Sequence, residues 1–173
     1  MGILITERMI APGEEPVVEH QSPSGRVLKV SWLAPWGQRL AAVAVYAPCE
    51  AQQRDAFFTG EYLDCITSGT QTNLMVGGDF NCVMRDADIM AASPAQIATS
   101  SRKVGGPALQ FANFLGGLQD AWLHAHPSRR QPTHYTAGGE SGGRLDYVFL
   151  SDGLLDSGWL QSAQQHRRFP SDH

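Results

Sequence analysis

From Gly2 to Ala47 the chain sets apolar residues in strand-length runs, alternating with polar ones or nearly continuous. The runs GILIT, PVVEH, RVLKVSWLA and RLAAVAVYA are separated by APGEE, SPSG and PWGQ, which have turn composition. This pattern predicts a meander of antiparallel strands. After Pro48 the period changes: Phe57, Phe58, Tyr62 and Ile66 recur at helical spacing between Glu50 and Thr67, predicting a helix packed on the sheet. Leu74, Met75 and Val76 then read as a strand shielded on both faces, followed by a long loop of polar and small residues from Met84 to Gly106. A second helix is predicted over Pro107 to Leu118, with Leu109, Phe111, Phe114, Leu115 and Leu118 as its buried side. THYT, RLDYVFLS and WLQSAQQHRRF read as further strands.

Composition narrows this picture. With 173 residues, 42% of them hydrophobic, the chain has the size of one domain with one core. No apolar run approaches the length of a membrane helix and the first residues lack a signal-peptide layout, so a soluble intracellular protein is expected. Cys49, Cys65 and Cys82 are odd in number and not closely paired, which points to core or loop thiols rather than a disulfide framework or zinc cluster. A net charge of -4 argues against a blanket electrostatic grip on nucleic acid. It leaves room for local basic groups, such as Arg129, Arg130, Arg167 and Arg168, beside an acidic site.

Two stretches carry candidate chemistry. In NLMVGGDFNCVMRD, Gly77 and Gly78 let the backbone leave the sheet, and Asp79 and Asn81 follow where the strand stops. If the chain stays extended, their side chains project together above the strand end. The same residues are the commonest turn formers, so the run reads equally as a turn. In GGRLDYVFLS, Leu145, Tyr147 and Phe149 share one strand face, and Arg144, Asp146 and Val148 the other. Arg144 and Asp146 form either a structural ion pair, with each other or with similar partners, or a site in which Asp146 orients a histidine. The terminal FPSDH adds Asp172 and His173.

VYAP, GGDFN, DAW followed by HP, RLDYVFLS and SDH, in this order, resemble the endonuclease/exonuclease/phosphatase superfamily. Within it the motifs are most similar to the apurinic-type endonuclease domains of LINE-type, non-LTR retrotransposons. The resemblance runs from about Gly2 to His173 and implies a DNase I-like α+β fold, a four-layer α/β/β/α sandwich of two mostly antiparallel sheets flanked by helices. By motif, it makes Tyr46 a contact to the scissile phosphate, Asp79 the acid beside it and Asn81 an amide bonded to it. Asp146 becomes the carboxylate that orients the histidine, His173 the histidine that binds phosphate and helps activate water, and Asp172, with Asp79, an acid at the metal. Oxygen ligands without a Cys/His cluster imply Mg2+ or Mn2+. Hydrolysing a phosphodiester needs an activated water, charge neutralisation and help for the leaving oxygen, which this set supplies.

The resemblance further implies DNA as substrate, a reverse transcriptase joined in the full-length element and a nuclear location. An inositol-phosphate phosphatase or phospholipid phosphodiesterase of the same superfamily, or a noncatalytic remnant, is the alternative. The family's asparagine and metal-binding glutamate at the ends of its first two strands have no counterpart here, and no strand follows SDH. The expectation is one domain, residues 1–173, lacking the N-terminal strands and the final strand, with weak metal binding and little activity alone. Smaller expectations complete the reading. His124 and His126 lack a third metal ligand and take core or surface roles, and Asp120 is structural. Thr133 and His134 fall against the substrate backbone, and Asp86 and Asp88 are solvated.

Overall fold

The computed structural model describes residues 1–69, 73–91, 93–128, 131–135, 141–158 and 160. The expected meander forms as β1 (Val17–Gln21), β2 (Val27–Leu33) and β3 (Arg39–Tyr46), paired antiparallel in sequence order. A broken helix then crosses over: α1 (Ala51–Phe57), a π-helical turn at Phe58–Tyr62 and α2 (Leu63–Thr67). The break lies at Gly60, whose φ of -112° and ψ of -106° are non-helical. The crossover returns the chain as β4 (Leu74–Asp79), parallel to β3.

Short elements occupy the stretch expected to be a loop: β5 (Ile89–Met90) and α3 (Pro94–Ala98), with 3-10 turns at Asp86–Asp88 and Ser101–Lys103. Then come α4 (Gly106–Leu115), β6 (Leu118–Asp120), α5 (Ala121–Ala125), β7 (His134–Tyr135), β8 (Gly142–Gly143), β9 (Asp146–Ser151) and α6 (Asp152–Asp156). The result is an α+β fold of two sheets flanked by helices, one with strand order β1-β2-β3-β4-β9-β6 and a small one ordered β5-β8-β7.

The period-2 alternation sorts side chains onto the two faces of the large sheet. Val27, Val43, Val45, Val76, Tyr147 and Phe149 face α1, α2 and α4 and form the main core with Phe58, Tyr62 and Phe80. Trp32, Leu40 and Leu150 lie on the other face, in a second cluster with Leu154 of α6 and Ala121 of α5.

Four expectations are corrected. β4 is shielded on one face only, because Leu74 and Val76 are buried while Met75 is 41% exposed. GILIT is not a strand: Ile5 packs beside Met9 and Ile10 on the Trp32 cluster without joining a sheet edge, and Leu4 is 96% exposed. The buried side of α4 is Leu109, Ala112 and Asn113, while Phe111, Phe114 and Leu115 are exposed and Leu118 belongs to β6. A polar residue lies inward there because the fully buried Tyr62 hydroxyl donates to Asn113 Oδ1 at 2.5 Å. Asp88, expected in solvent, is buried against Arg144, whereas Asp86 is exposed as expected.

Candidate active site

Phe80 anchors the site from below. It is fully buried, with its ring 5.2 to 6.2 Å from those of Phe58, Tyr62, Tyr147 and Phe149. Such aromatic packing holds the residues on either side of it at a defined height above the sheet. Asp79 ends β4 and Asn81 follows in the left-handed region at φ 50°, which asparagine tolerates better than most residues. The Asn81 N–H donates to Asp79 Oδ1 at 2.8 Å and its Nδ2 donates to the Ala47 carbonyl at 2.8 Å. GGDFN is therefore both a turn and a carboxylate–carboxamide pair, presented by the turn and not by an extended chain.

Gly78 makes the close approach possible. A Cβ there would stand 1.9 Å from the Val45 carbonyl oxygen. No other residue fits between β3 and β4 at this point.

Register brings the remaining strand-borne candidates together. Tyr46 pairs with Asp79 across β3 and β4, and Asp79 pairs with Asp146 across β4 and β9. The three side chains form a row on one face at one end of the sheet, each one strand further along, at an inter-strand spacing of roughly 4.8 Å. Tyr46 is 47% exposed, and its hydroxyl lies 3.5 Å from Cys49 Sγ. That contact, with the Cys49 charge and then Asp79, raises the tyrosine pKa, and Arg26 opposes it. Tyr46 thus stays a protonated donor at neutral pH.

Asp146 starts β9 and its backbone is fixed from the small sheet. Thr133 Oγ1 accepts from the N–H groups of Leu145 and Asp146 at 3.0 and 3.1 Å. Of the two readings for Arg144, the ion pair forms, but with Asp88 at 3.2 Å and with both oxygens of Asp120 at 3.0 and 2.5 Å, not with Asp146. Asp120 is structural as expected, and its carboxylate also caps α5 through the Leu123 N–H. His126 packs against Trp122 with ring centroids 4.4 Å apart and planes tilted by 52°, and His124 is exposed.

Asp172 and His173, together with Arg129, Arg130, Arg167, Arg168 and the stretch WLQSAQQHRRF apart from Leu160, lie outside the described residues. Among the described residues no group of three or more His, Cys, Asp or Glu gathers. Of the two acids expected at a metal only Asp79 is among the described residues, and its carboxylate oxygens suit a hard divalent cation, which takes one or two carboxylates and fills its remaining positions with water and substrate oxygens. Sequence reasoning missed Cys49 and Arg26. Cys49 Sγ also lies 3.7 Å from Asn81 Nδ2, and the Arg26 guanidinium carbon lies 5.4 Å from the Tyr46 ring centroid. The only signal for Cys49 was its place three residues after Tyr46, and Arg26 gave none.

The profile of the Endonuclease/Exonuclease/phosphatase family matches residues 6–173. No curated protein matches the chain significantly. Among solved structures the chain is similar to the 3'-phosphatase NExo from Neisseria bound to product DNA hairpin, at 19% identity and TM-score 0.63, over 96% of this chain and 69% of that one. It is also similar to an AP endonuclease from Archaeoglobus fulgidus, at 17% identity and TM-score 0.65, over 83% of this chain and 61% of that one. The endonuclease domain of TRAS1, a telomere-specific non-LTR retrotransposon, matches at 17% identity and TM-score 0.53, over 84% of this chain and 59% of that one. At these identities the likeness is one of fold.

Proposed function

Since the chain belongs to the endonuclease/exonuclease/phosphatase family, we propose that it hydrolyses phosphodiester bonds in DNA as an endonuclease of retrotransposon type. The observation that carries this reading is the registered row Tyr46, Asp79, Asp146, with Asn81 folded back onto Asp79. In it the Tyr46 hydroxyl and the Asn81 amide donate to phosphate oxygens, and Asp79 accepts or positions the proton of the attacking water. Asp146 orients His173, which holds the phosphate and assists the water. Asp79 and Asp172 would hold Mg2+ or Mn2+, which when bound neutralises charge developing on the nonbridging oxygens. As part of such an element the chain would act in the nucleus, joined to a reverse transcriptase.

A second reading, processing of DNA 3' ends, is favoured by the fuller coverage of the Neisseria structures, one described as a 3'-phosphatase and one as a 3'-5' exonuclease. One experiment separates the two. The chain is incubated with supercoiled plasmid and with a 3'-phosphate DNA hairpin in Mg2+ or Mn2+, beside its Asp79→Asn variant. Nicking that is lost in Asp79→Asn supports the endonuclease, and hairpin dephosphorylation without nicking supports the second reading. Undiminished cleavage by Asp79→Asn, or hydrolysis of an inositol phosphate or phospholipid in place of DNA, overturns the proposal. So does a chain that neither cleaves DNA nor binds it.

A further inference from the structure

One buried cation closes a ring of hydrogen bonds beside the candidate site. Arg54 lies in α1 and is 6% exposed. Its Nε and Nη2 donate to the carbonyls of Pro48 and Cys49 at 3.0 and 2.6 Å, and its Nη1 donates to those of Ser101 and Val104 at 3.2 and 3.4 Å. One planar fork therefore joins the loop that follows β3 to the loop that precedes α4.

Both loops are also bonded to the turn that carries Asp79 and Asn81. In the first, the Ala47 N–H donates to the Asp79 carbonyl at 2.9 Å and the Ala47 carbonyl accepts Asn81 Nδ2 at 2.8 Å. Cys49 Sγ, in the same loop, meets the Tyr46 hydroxyl and the Asn81 amide. In the second, the Arg102 carbonyl accepts the N–H of Val83, two residues after Asn81, at 2.8 Å. The chain is shaped for this junction. Gly105 has a φ of 94°, and a Cβ there would stand 2.7 Å from Arg54 Cβ, while a Cβ at Gly106 would stand 2.3 Å from the Val83 carbonyl oxygen.

We propose that Arg54 is a positioning residue for phosphodiester hydrolysis: it fixes both loops against the turn and so sets where the Tyr46 hydroxyl and the Asn81 amide stand relative to Asp79. This rests on the nuclease reading above. The requirement is for a fork and not for a charge alone. A lysine ammonium is a single point at the end of a flexible stem, which can hold one loop but cannot span the carbonyls of both. A misplacement of about 1 Å among reacting groups costs about 100-fold in rate.

The test combines cleavage of supercoiled plasmid by the whole chain in Mg2+ with timed thiol labelling, read site by site by mass spectrometry well below the melting temperature. Buried Cys65 and Cys82 report the fold, and exposed Cys49 reports the loop. In Arg54→Lys and Arg54→Gln, Cys65 and Cys82 should stay protected while Cys49 labels several-fold faster, as its sulfur leaves Tyr46 and Asn81, and cleavage should fall about 100-fold. Lys29→Met is the control. Lys29 is also buried and donates to the carbonyls of Cys65 and Ser68 at 3.1 and 2.7 Å, at the other end of the broken helix. Its replacement should lower the melting temperature and leave Cys49 labelling and cleavage at wild-type values. Wild-type Cys49 labelling or wild-type cleavage in both Arg54 variants overturns the assignment. Labelling of all three cysteines together also overturns it, since Arg54 would then support the whole fold and not the loops. A wild-type chain that cleaves no DNA overturns the nuclease reading, and Cys49 labelling alone then decides whether Arg54 holds the loop.

Discussion

Asp79 of β4 and Asp146 of β9 are direct register partners, so two carboxylates stand side by side on one face at the end of antiparallel strands. Like charges at opposed positions cost up to about 1 kcal/mol. The proposed site would therefore give up a little stability to keep both acids. Asp79→Asn preserves the oxygen that accepts the Asn81 N–H and removes the repulsion. Its melting temperature should be equal to or slightly above that of wild type, while phosphodiester hydrolysis falls about 100- to 1000-fold. Parallel thermal unfolding and cleavage assays check this, and a clear loss of stability would falsify it.

Phe80 links the core to the site. Replacing this fully buried ring by alanine removes its contacts with four aromatic neighbours and should cost about 3–5 kcal/mol. Phe80→Leu fills more of the space and should cost less, yet still reduce activity because Asp79 and Asn81 lose a rigid support. Urea denaturation of both variants gives the stabilities, and equal stability in Phe80→Ala and wild type would contradict the anchoring role.

Arg144 holds two buried carboxylates. Arg144→Met leaves Asp88 and Asp120, both 7% exposed at the side chain, without their guanidinium and should cost about 3–5 kcal/mol. Adding Asp88→Asn and Asp120→Asn to that variant should recover part of the loss, because the uncompensated charge disappears. Comparing the single, double and triple variants by chemical denaturation reads the coupling, and strictly additive effects would argue against the network.

The three cysteines should separate by reactivity and by pH. Burial pushes the Cys65 thiol up to about 11 and the Cys82 thiol up to about 12, whereas Cys49 is exposed. A thiol reagent near neutral pH should label Cys49 quickly and the other two only on unfolding. Both buried groups hold their protons more tightly when folded. Their contribution to stability is fully present below the ordinary thiol value of 9.0 and is lost as pH rises toward about 11 and 12. Thermal unfolding from neutral to alkaline pH should show a decline beginning near that value, shallower in Cys65→Ala/Cys82→Ala. An identical decline in that variant would assign it to other groups.

Local periodicity was enough for much of this fold. The runs from Val17 to Tyr46 read as strands because alternation is a property of neighbouring residues, and the same holds for Leu145, Tyr147 and Phe149 facing inward. The sequence also marked Tyr46, Asp79, Asn81 and Asp146, because each follows from a short motif at a strand end. What it could not supply was which strand lies beside which. Tyr46, Asp79 and Asp146 form a row only because β4 pairs parallel to β3 on one side and antiparallel to β9 on the other.

Long-range pairing also decided the places where pattern reading failed. Asp88 is buried because Arg144, distant in sequence, needs a carboxylate. Phe114 is 80% exposed because α4 turns its Leu109 and Ala112 side to the core, a choice set by the helix and strands beneath it and not by its own apolar content. Arg26 and Arg102 carry no motif at all. Arg26 meets Tyr46 because β2 pairs with β3, and Arg102 meets His134 because the loop that carries Arg102 packs on the small sheet.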